Sequence, residues 1–189
     1  MRYKKASLNS NLEEIAQLIY ETDKFIYPFW FENYENWKSV LINMIKTKGN
    51  IFYYKNILVA EENGHIYGII VYTDDKFINK YNYETLYLNK NFEYTIKNYI
   101  IPCAENIKLN TIQIHCVCVN SFYRNKHIGS NLLRRLFSLN KNKKFELCVL
   151  TDNLSAIHLY SKFGFKIISK PKGFNSPNKR KPLTYIMST

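Results

Sequence analysis

The stretch VCVNSFYRNKHIGSNLLRRL, residues 117–136, begins as apolar alternation, breaks into a polar turn and ends in helical spacing. Arg124, Lys126 and His127 crowd the turn just ahead of Gly129 and Ser130. The first turn of a helix leaves backbone N–H groups without partners, and the helix dipole makes that end positive. An anion, above all a phosphate, is the ligand such an end favours. Gly129 allows a ligand to approach the backbone, and Ser130 adds a small hydroxyl. The helix behind places Leu132, Leu133, Leu136 and Leu139 on its apolar side, so it is expected to be anchored. A basic surface connection between strand and helix is the competing reading, and the turn alone does not decide between the two.

Composition narrows the rest. The chain has 189 residues, 46% of them hydrophobic, with 16 Tyr and 12 Phe, enough for a sizeable core in one domain spanning residues 1–189. No apolar run reaches the roughly 18 residues that a membrane span needs, and MRYKKASLNSNLEE lacks a signal-peptide apolar segment. A soluble cytoplasmic protein is the expectation. Cys103, Cys116, Cys118 and Cys148 all lie in apolar stretches; Cys116 and Cys118 share one strand face and read as packed thiols, with no Cys/His spacing for zinc. No metal is expected. The net charge of +12 suits a polyphosphate cofactor, an acidic substrate or nucleic acid. The one dense basic run, KPKGFNSPNKRKP at 170–182, carries no recognisable nucleic-acid motif.

Along the chain, RYKKA (2–6) reads as a strand, and Asn9 and Ser10 offer an N-cap to a helix with Leu12, Ile15, Leu18 and Ile19 on one face. Pro28, inside FIYPFWFENYENW, predicts a bend between two helices. ENWKSVLINMIKTKG predicts a helix ending near Gly49. FYYKNILVAEENGHIYGIIVYTDD reads as two strands joined at an Asn-Gly turn. Residues 80–90 are ambiguous, and 92–106 read as partly helical with a break at Pro102. TIQIHCVCVN and FELCVLTDN are strands, LSAIHLYSKFG is a helix closed by Gly164, and FKIISKP and LTYIMS are strands. An α+β domain follows, without repeats or linkers.

The segment NLSAIHLYSKFGFKII (153–168) completes the picture. Asn153, Ala156, Tyr160, Gly164 and Phe165 follow the pattern Asn-x-x-Ala-x-x-x-Tyr-x-x-x-Gly-Phe. Arg124 and Gly129 match a preceding Gln/Arg-x-x-Gly-x-Gly/Ala loop, with His127 where that pattern has glycine. In this order, over about a third of the chain, the two motifs resemble the GNAT family of acetyl-CoA-dependent N-acetyltransferases. The resemblance implies a mixed, mostly antiparallel central sheet, flanked by helices and splayed at the cofactor site. It implies acetyl-CoA as cofactor, with its pantetheine arm along the backbone of Val117, Cys118 and Val119. The pyrophosphate would rest on the amides of Arg124, Asn125, Lys126, His127, Ile128, Gly129 and Ser130. Asn153 would bond the arm, and Tyr160 would serve as the general acid for the leaving thiolate; a helix cap and a core tyrosine are the plainer readings of these two.

The implied reaction is transfer of acetyl to a primary amine of a small molecule, peptide or protein, by direct attack in a ternary complex. An amine near pKa 10 must lose a proton, and His115, Glu61, Glu62 and Glu93 are the candidate acceptors of it. Tyr27, Phe29 and Trp30 read either as an aromatic wall for a cationic amine or as core; Glu32 and Glu35 would draw a cation towards them. A non-catalytic acyl-CoA sensor and a basic nucleic-acid-associated module are the rival functions. No membrane partner is expected, nucleic acid is the less favoured partner, and a homodimer is compatible.

Overall fold

The computed structural model describes residues 1–31, 35–75, 93, 109–173 and 183–189. Five expectations therefore lie outside the described residues: the ambiguous stretch 80–90, nearly all of the partial helix at 92–106, Cys103, Glu32, and the basic run from 174 onward.

Strand β1 (Arg2–Lys5) leads to helix α1 (Leu12–Thr22). Asn11, not Asn9 or Ser10, caps α1 by accepting from the Glu14 amide at 3.2 Å. Ser10 instead closes the preceding turn, its hydroxyl accepting from the Ser7 amide. Ile15, Leu18 and Ile19 are buried along one face. Short helix α2 (Ile26–Trp30) contains Pro28 rather than breaking at it. Proline in a first helical turn removes an N–H that has no intrahelical acceptor, so no bend is forced there. Asp23 starts this helix by accepting from the amides of Phe25 and Ile26 at 2.7 and 2.9 Å. Helix α3 (Trp37–Lys46) follows.

The next hairpin pairs β2 (Ile57–Glu62) with β3 (His65–Asp74). Its turn is Asn63-Gly64, both at positive φ (52° and 82°), as a tight two-residue connection demands. β2 starts later than its sequence suggests because Tyr54–Asn56 form a 3₁₀ turn. Strand β4 (Thr111–Val119), helix α4 (Ile128–Leu139), strand β5 (Lys144–Leu150) and helix α5 (Leu154–Lys162) match their expected segments. FKIISKP contributes only the two-residue β6 (Lys166–Ile167). A further two-residue strand, β7 (Lys172–Gly173), was not expected, and β8 (Leu183–Ser188) closes the chain.

These strands form one eight-stranded sheet in the order β1-β2-β3-β4-β5-β8-β6, with β7 also on β8. All pairs are antiparallel except β4–β5. Helices α1–α3 cover one face over a core of Ile15, Ile19, Leu41, Ile45, Phe52 and Ile69. The other face packs α4 and α5 over Ile70, Ile112, Leu132, Leu136 and Leu147. Leu139, expected inside, is 42% exposed at the end of α4, and buried Ile128 completes the apolar face instead. Phe137 of α4 stacks on Phe145 of β5 (centroids 4.1 Å apart) and meets Phe163 edge-on at 5.8 Å, joining the two sides of the parallel pair.

Gly68 sets how closely α4 lies on the sheet. A Cβ there would stand 3.1 Å from the Cys118 carbonyl oxygen, 3.1 Å from Ile128 Cγ2 and 3.2 Å from Leu132 Cδ1. One of these neighbours is backbone and cannot step aside cheaply, so a side chain at 68 lifts the N-terminal half of α4. Gly68→Ala is expected to lower stability by about 1–3 kcal/mol in denaturant unfolding, as overpacking does; an unchanged midpoint would contradict this tight contact.

Candidate active site

The site is built around the place where β4 and β5 part. Their parallel pairing runs only from Thr111↔Lys144 to Ile114↔Leu147, although β4 continues to Val119 and β5 to Leu150. Residues 115–119 therefore have β3 on one side and, among the described residues, no strand on the other. At roughly 3.3 Å per residue that leaves an unpaired edge of about 16 Å. The direction of its polar groups follows from register. The Asn120 amide donates to the Tyr67 carbonyl at 2.9 Å, so Asn120 bonds towards β3. By alternation Cys118 and Cys116 also bond towards β3, while Val117 and Val119 direct their N–H and C=O groups into the opening. The three-residue expectation thus divides, two residues facing the opening and Cys118 facing β3.

Beyond β4 the chain makes a 3₁₀ turn (Ser121–Tyr123) capped by the Asn120 side chain, then the basic loop. Asn125 and His127 both adopt positive φ, 61° and 57°. This accounts for the glycine of the family pattern at position 127: the backbone is left-handed there, and a histidine occupies it at some cost. No side chain caps α4 and no acidic residue lies in its first turn. The amides of Ile128, Gly129 and Ser130 thus stand at a positive helix end beside exposed Arg124, Asn125, Lys126 and His127. Lys126 Nζ lies 4.9 Å from the centre of the Tyr123 ring, and the Arg124 Nε donates to the Val119 carbonyl at 3.3 Å. A Cβ at Gly129 would face Leu159 and Val119 at 3.5 and 3.6 Å, ordinary contacts, so packing alone does not require glycine there.

On the opposite wall, Asn153 caps α5, its Oδ1 accepting from the Ala156 amide at 3.2 Å and from the Ser155 hydroxyl at 3.1 Å. Its Nδ2 has no partner among the described residues. Gly164, at φ 86°, ends the helix, and the Phe165 amide returns to the Tyr160 carbonyl. Tyr160 is buried with its ring against Phe165 at 5.7 Å. Its hydroxyl bonds to no described residue. Burial, with smaller contributions from Cys116 and Cys118, pushes its pKa upward. Both cysteines belong to the unpaired part of β4, so the phenol is within electrostatic reach of that segment.

The remaining candidates fall in different parts of the fold. Tyr27, Phe29 and Trp30 are core residues of the α1–α3 layer. Tyr27 meets Trp30 edge-on at 5.0 Å, and its hydroxyl lies 3.1 Å from the Cys116 sulfur. Their faces are taken up by packing. Burial raises the Cys116 and Cys118 thiols to about 12 and about 11, so both stay protonated at neutral pH and are poor metal ligands there. Cys148, expected in apolar surroundings, is exposed, since alternation along β5 turns it away from the core. Glu61 pairs with Lys4 at 2.8 Å, and Glu62 with the Met1 amine, both at the far side of the sheet from the opening. His115 is the extra residue of a bulge opposite Val71 and Tyr72, with Nε2 2.7 Å from the Thr73 hydroxyl. Sequence reading missed Gly68, whose only signal was a glycine inside a strand, and the contact of Arg124 with Val119.

The family model described as Acetyltransferase (GNAT) family matches residues 12–165, and the chain belongs to that family of acyltransferases. A curated relative, the L-amino acid N-acetyltransferase AaaT of Escherichia coli (strain K12), is 32% identical over 76 residues. That match covers 38% of this chain and 47% of the relative, so it spans about half of the relative's length. Among solved structures, an N-acetyltransferase from Staphylococcus aureus Mu50 superposes with a TM-score of 0.67 at 20% identity, covering all of both chains. The NatC complex bound to Gag peptide and CoA gives 0.58 at 15% identity, over 99% of this chain and 96% of that one. At such identities these structures speak for the fold. Among the described residues no helix is long and apolar enough to cross a membrane, and no cluster of metal-ligating side chains occurs.

Two outcomes follow from this geometry. Burial lowers His115 to about 4 from an unfolded value near 6.5. The unfolded chain therefore binds the extra proton first as pH falls, so the stability His115 contributes is complete above about 6.5 and is lost towards 4. Equilibrium unfolding is expected to show about 1–3 kcal/mol of such loss, which His115→Gln removes; an identical acid slope in the variant would exclude this origin. His127→Gly should leave stability unchanged or raise it by up to about 1 kcal/mol, whereas His127→Val lowers it by about 1–2 kcal/mol, because a β-branched residue tolerates positive φ poorly. Thermal melts of both variants check the left-handed backbone directly.

Proposed function

We propose that the protein transfers an acetyl group from acetyl-CoA to a primary amine, the amine attacking the thioester directly while both substrates are bound. The observation that carries this is the parting of β4 and β5 after Ile114↔Leu147, with the buried residue Tyr160 alongside, its hydroxyl bonded to no described residue. An opening with strand-like donors and acceptors on one edge accepts an extended chain carrying amide groups, and pantetheine is such a chain. Val117 and Val119 supply the strand edge, Asn153 Nδ2 reaches from the other wall, and the α4 amides with Arg124 and Lys126 hold the pyrophosphate.

Acetyl-CoA supplies the activated acyl group; the residues orient it and manage charge. A backbone N–H of Val117 or Val119 stabilises the charge that develops on the thioester carbonyl. As the C–N bond forms and the C–S bond breaks, the amine gives up a proton to solvent and the sulfur needs a donor. With its pKa raised, Tyr160 keeps its proton throughout the neutral range and stands ready as that donor. His115, its Nε2 engaged with Thr73 and its pKa near 4, is a poor base for the amine.

The acceptor is a small-molecule, peptide or protein amine. The partial match to an L-amino acid N-acetyltransferase makes the α-amino group of amino acids the first acceptor to assay. Thiol release across amino acids, polyamines and short peptides identifies the class. A sensor that binds acyl-CoA without transfer predicts no release with any of them, and a nucleic-acid module predicts RNA binding in place of coenzyme A binding.

Tyr160→Phe keeps the ring and its packing and removes the donor. Its kcat is expected to fall by roughly 10²-fold while acetyl-CoA affinity stays within a few fold. The deficit should narrow for a thioester whose thiol is more acidic, since that leaving group needs less assistance. Wild-type turnover in the Phe variant would take Tyr160 out of the chemistry.

A further inference from the structure

The contact between Arg124 and Val119 has no place in a simple phosphate loop. Arg124 is exposed and stands beside three amides of a helix start, yet its Nε turns back to the end of β4 and donates to the Val119 carbonyl at 3.3 Å. That carbonyl is one of the groups which strand alternation directs into the opening between β4 and β5. The charge of the same guanidinium is felt by the Cys118 thiol, in keeping with its place at the end of β4. It therefore stands in the path an amide-bearing arm takes along the unpaired edge, and it uses an acceptor that arm needs.

From this geometry we infer that Arg124 is a donor-selecting latch: it holds the Val119 carbonyl and the mouth of the opening, and a pyrophosphate is what draws it away. The inference rests on the cofactor reading above. A thioester carrying a pyrophosphate offers the guanidinium a charged bidentate partner, stronger than one neutral carbonyl, so Arg124 exchanges one for the other and clears the edge. A pantetheine thioester without phosphates offers no such partner and must compete with Arg124 for Val119. The latch thus makes the site favour coenzyme A thioesters over bare pantetheine thioesters by more than the phosphate contacts alone contribute. Arg124 acts here on donor binding, and no bond-making step passes through it.

The two effects of Arg124 separate on substitution. In Arg124→Gln the charge that attracts pyrophosphate is gone, and so is the charged donor on Val119. Binding of acetyl-CoA is expected to weaken about 10-fold, while S-acetylpantetheine binds several-fold more tightly than to the wild type. Both are read by calorimetry on the full chain, with kcat/KM for each donor as a second measure. A residue serving only as a phosphate contact would leave S-acetylpantetheine affinity unchanged, and a residue needed to shape the strand end would weaken it; either result overturns the latch while the cofactor reading stands. Wild-type protein that binds no acetyl-CoA removes the cofactor reading and the latch with it.

Discussion

Four residue pairs hold β4 parallel to β5, and the end of that pairing at Ile114 and Leu147 is the constraint on which the site depends. A parallel pair that ran the full length of both strands would satisfy Val117 and Val119 within the sheet and leave nothing for a ligand to meet. The strands part because each answers to a different neighbour. β4 stays in register with β3 down to Val119↔Gly68, across the bulge at His115, while β5 follows β8 through Leu150↔Thr184. Buried backbone groups without partners are costly, so an edge of this kind persists where water or a ligand can reach it.

The close seat of α4 is the second requirement. Its first turn presents amides at the mouth of the opening only because Gly68 lets Ile128 and Leu132 come down onto the sheet. Two left-handed residues, Asn125 and His127, then turn the basic loop so that chain direction reverses within a few residues. Charge, backbone donors and the helix dipole converge on one point, and none of the three is placed by a single side chain. That explains why a histidine in the glycine position is tolerated: what the loop needs there is a backbone angle.

Much of this was legible because it is local. Asn63-Gly64 announces its hairpin, Leu132, Leu133 and Leu136 announce the buried side of α4, and Asn153 with Gly164 brackets α5. The polar turn between Val119 and Ile128 was recognisable from the order strand, basic loop, helix. What the chain hides is non-local. Nothing between 111 and 150 tells that two strands separated by a helix pair for four residues and then diverge. Nothing near Tyr27, Phe29 or Trp30 tells whether an aromatic cluster faces a ligand or a core, since both demand the same residues. Pro28 misleads because its effect depends on which helical turn it enters, and Cys148 misleads because one strand can run through an apolar sequence yet turn every second residue to solvent.

The aromatic contacts of Phe137 bear on the mechanics of the molecule. Strands β1–β4 with α1–α4 form one side of the sheet, and β5 to β8 with α5 form the other. At the closed end of the wedge between them Phe137 is pressed against Phe145 and Phe163, with the four β4–β5 residue pairs alongside. At the open end the backbone does not join them. This is the layout of a pair of tongs, with the phenylalanines as the pivot and Val119 and Asn153 near the tips. Small rotations about the pivot change the width at the tips far more than at Ile114, so the rigidity of three rings about a strand's length away governs how tightly the jaws grip.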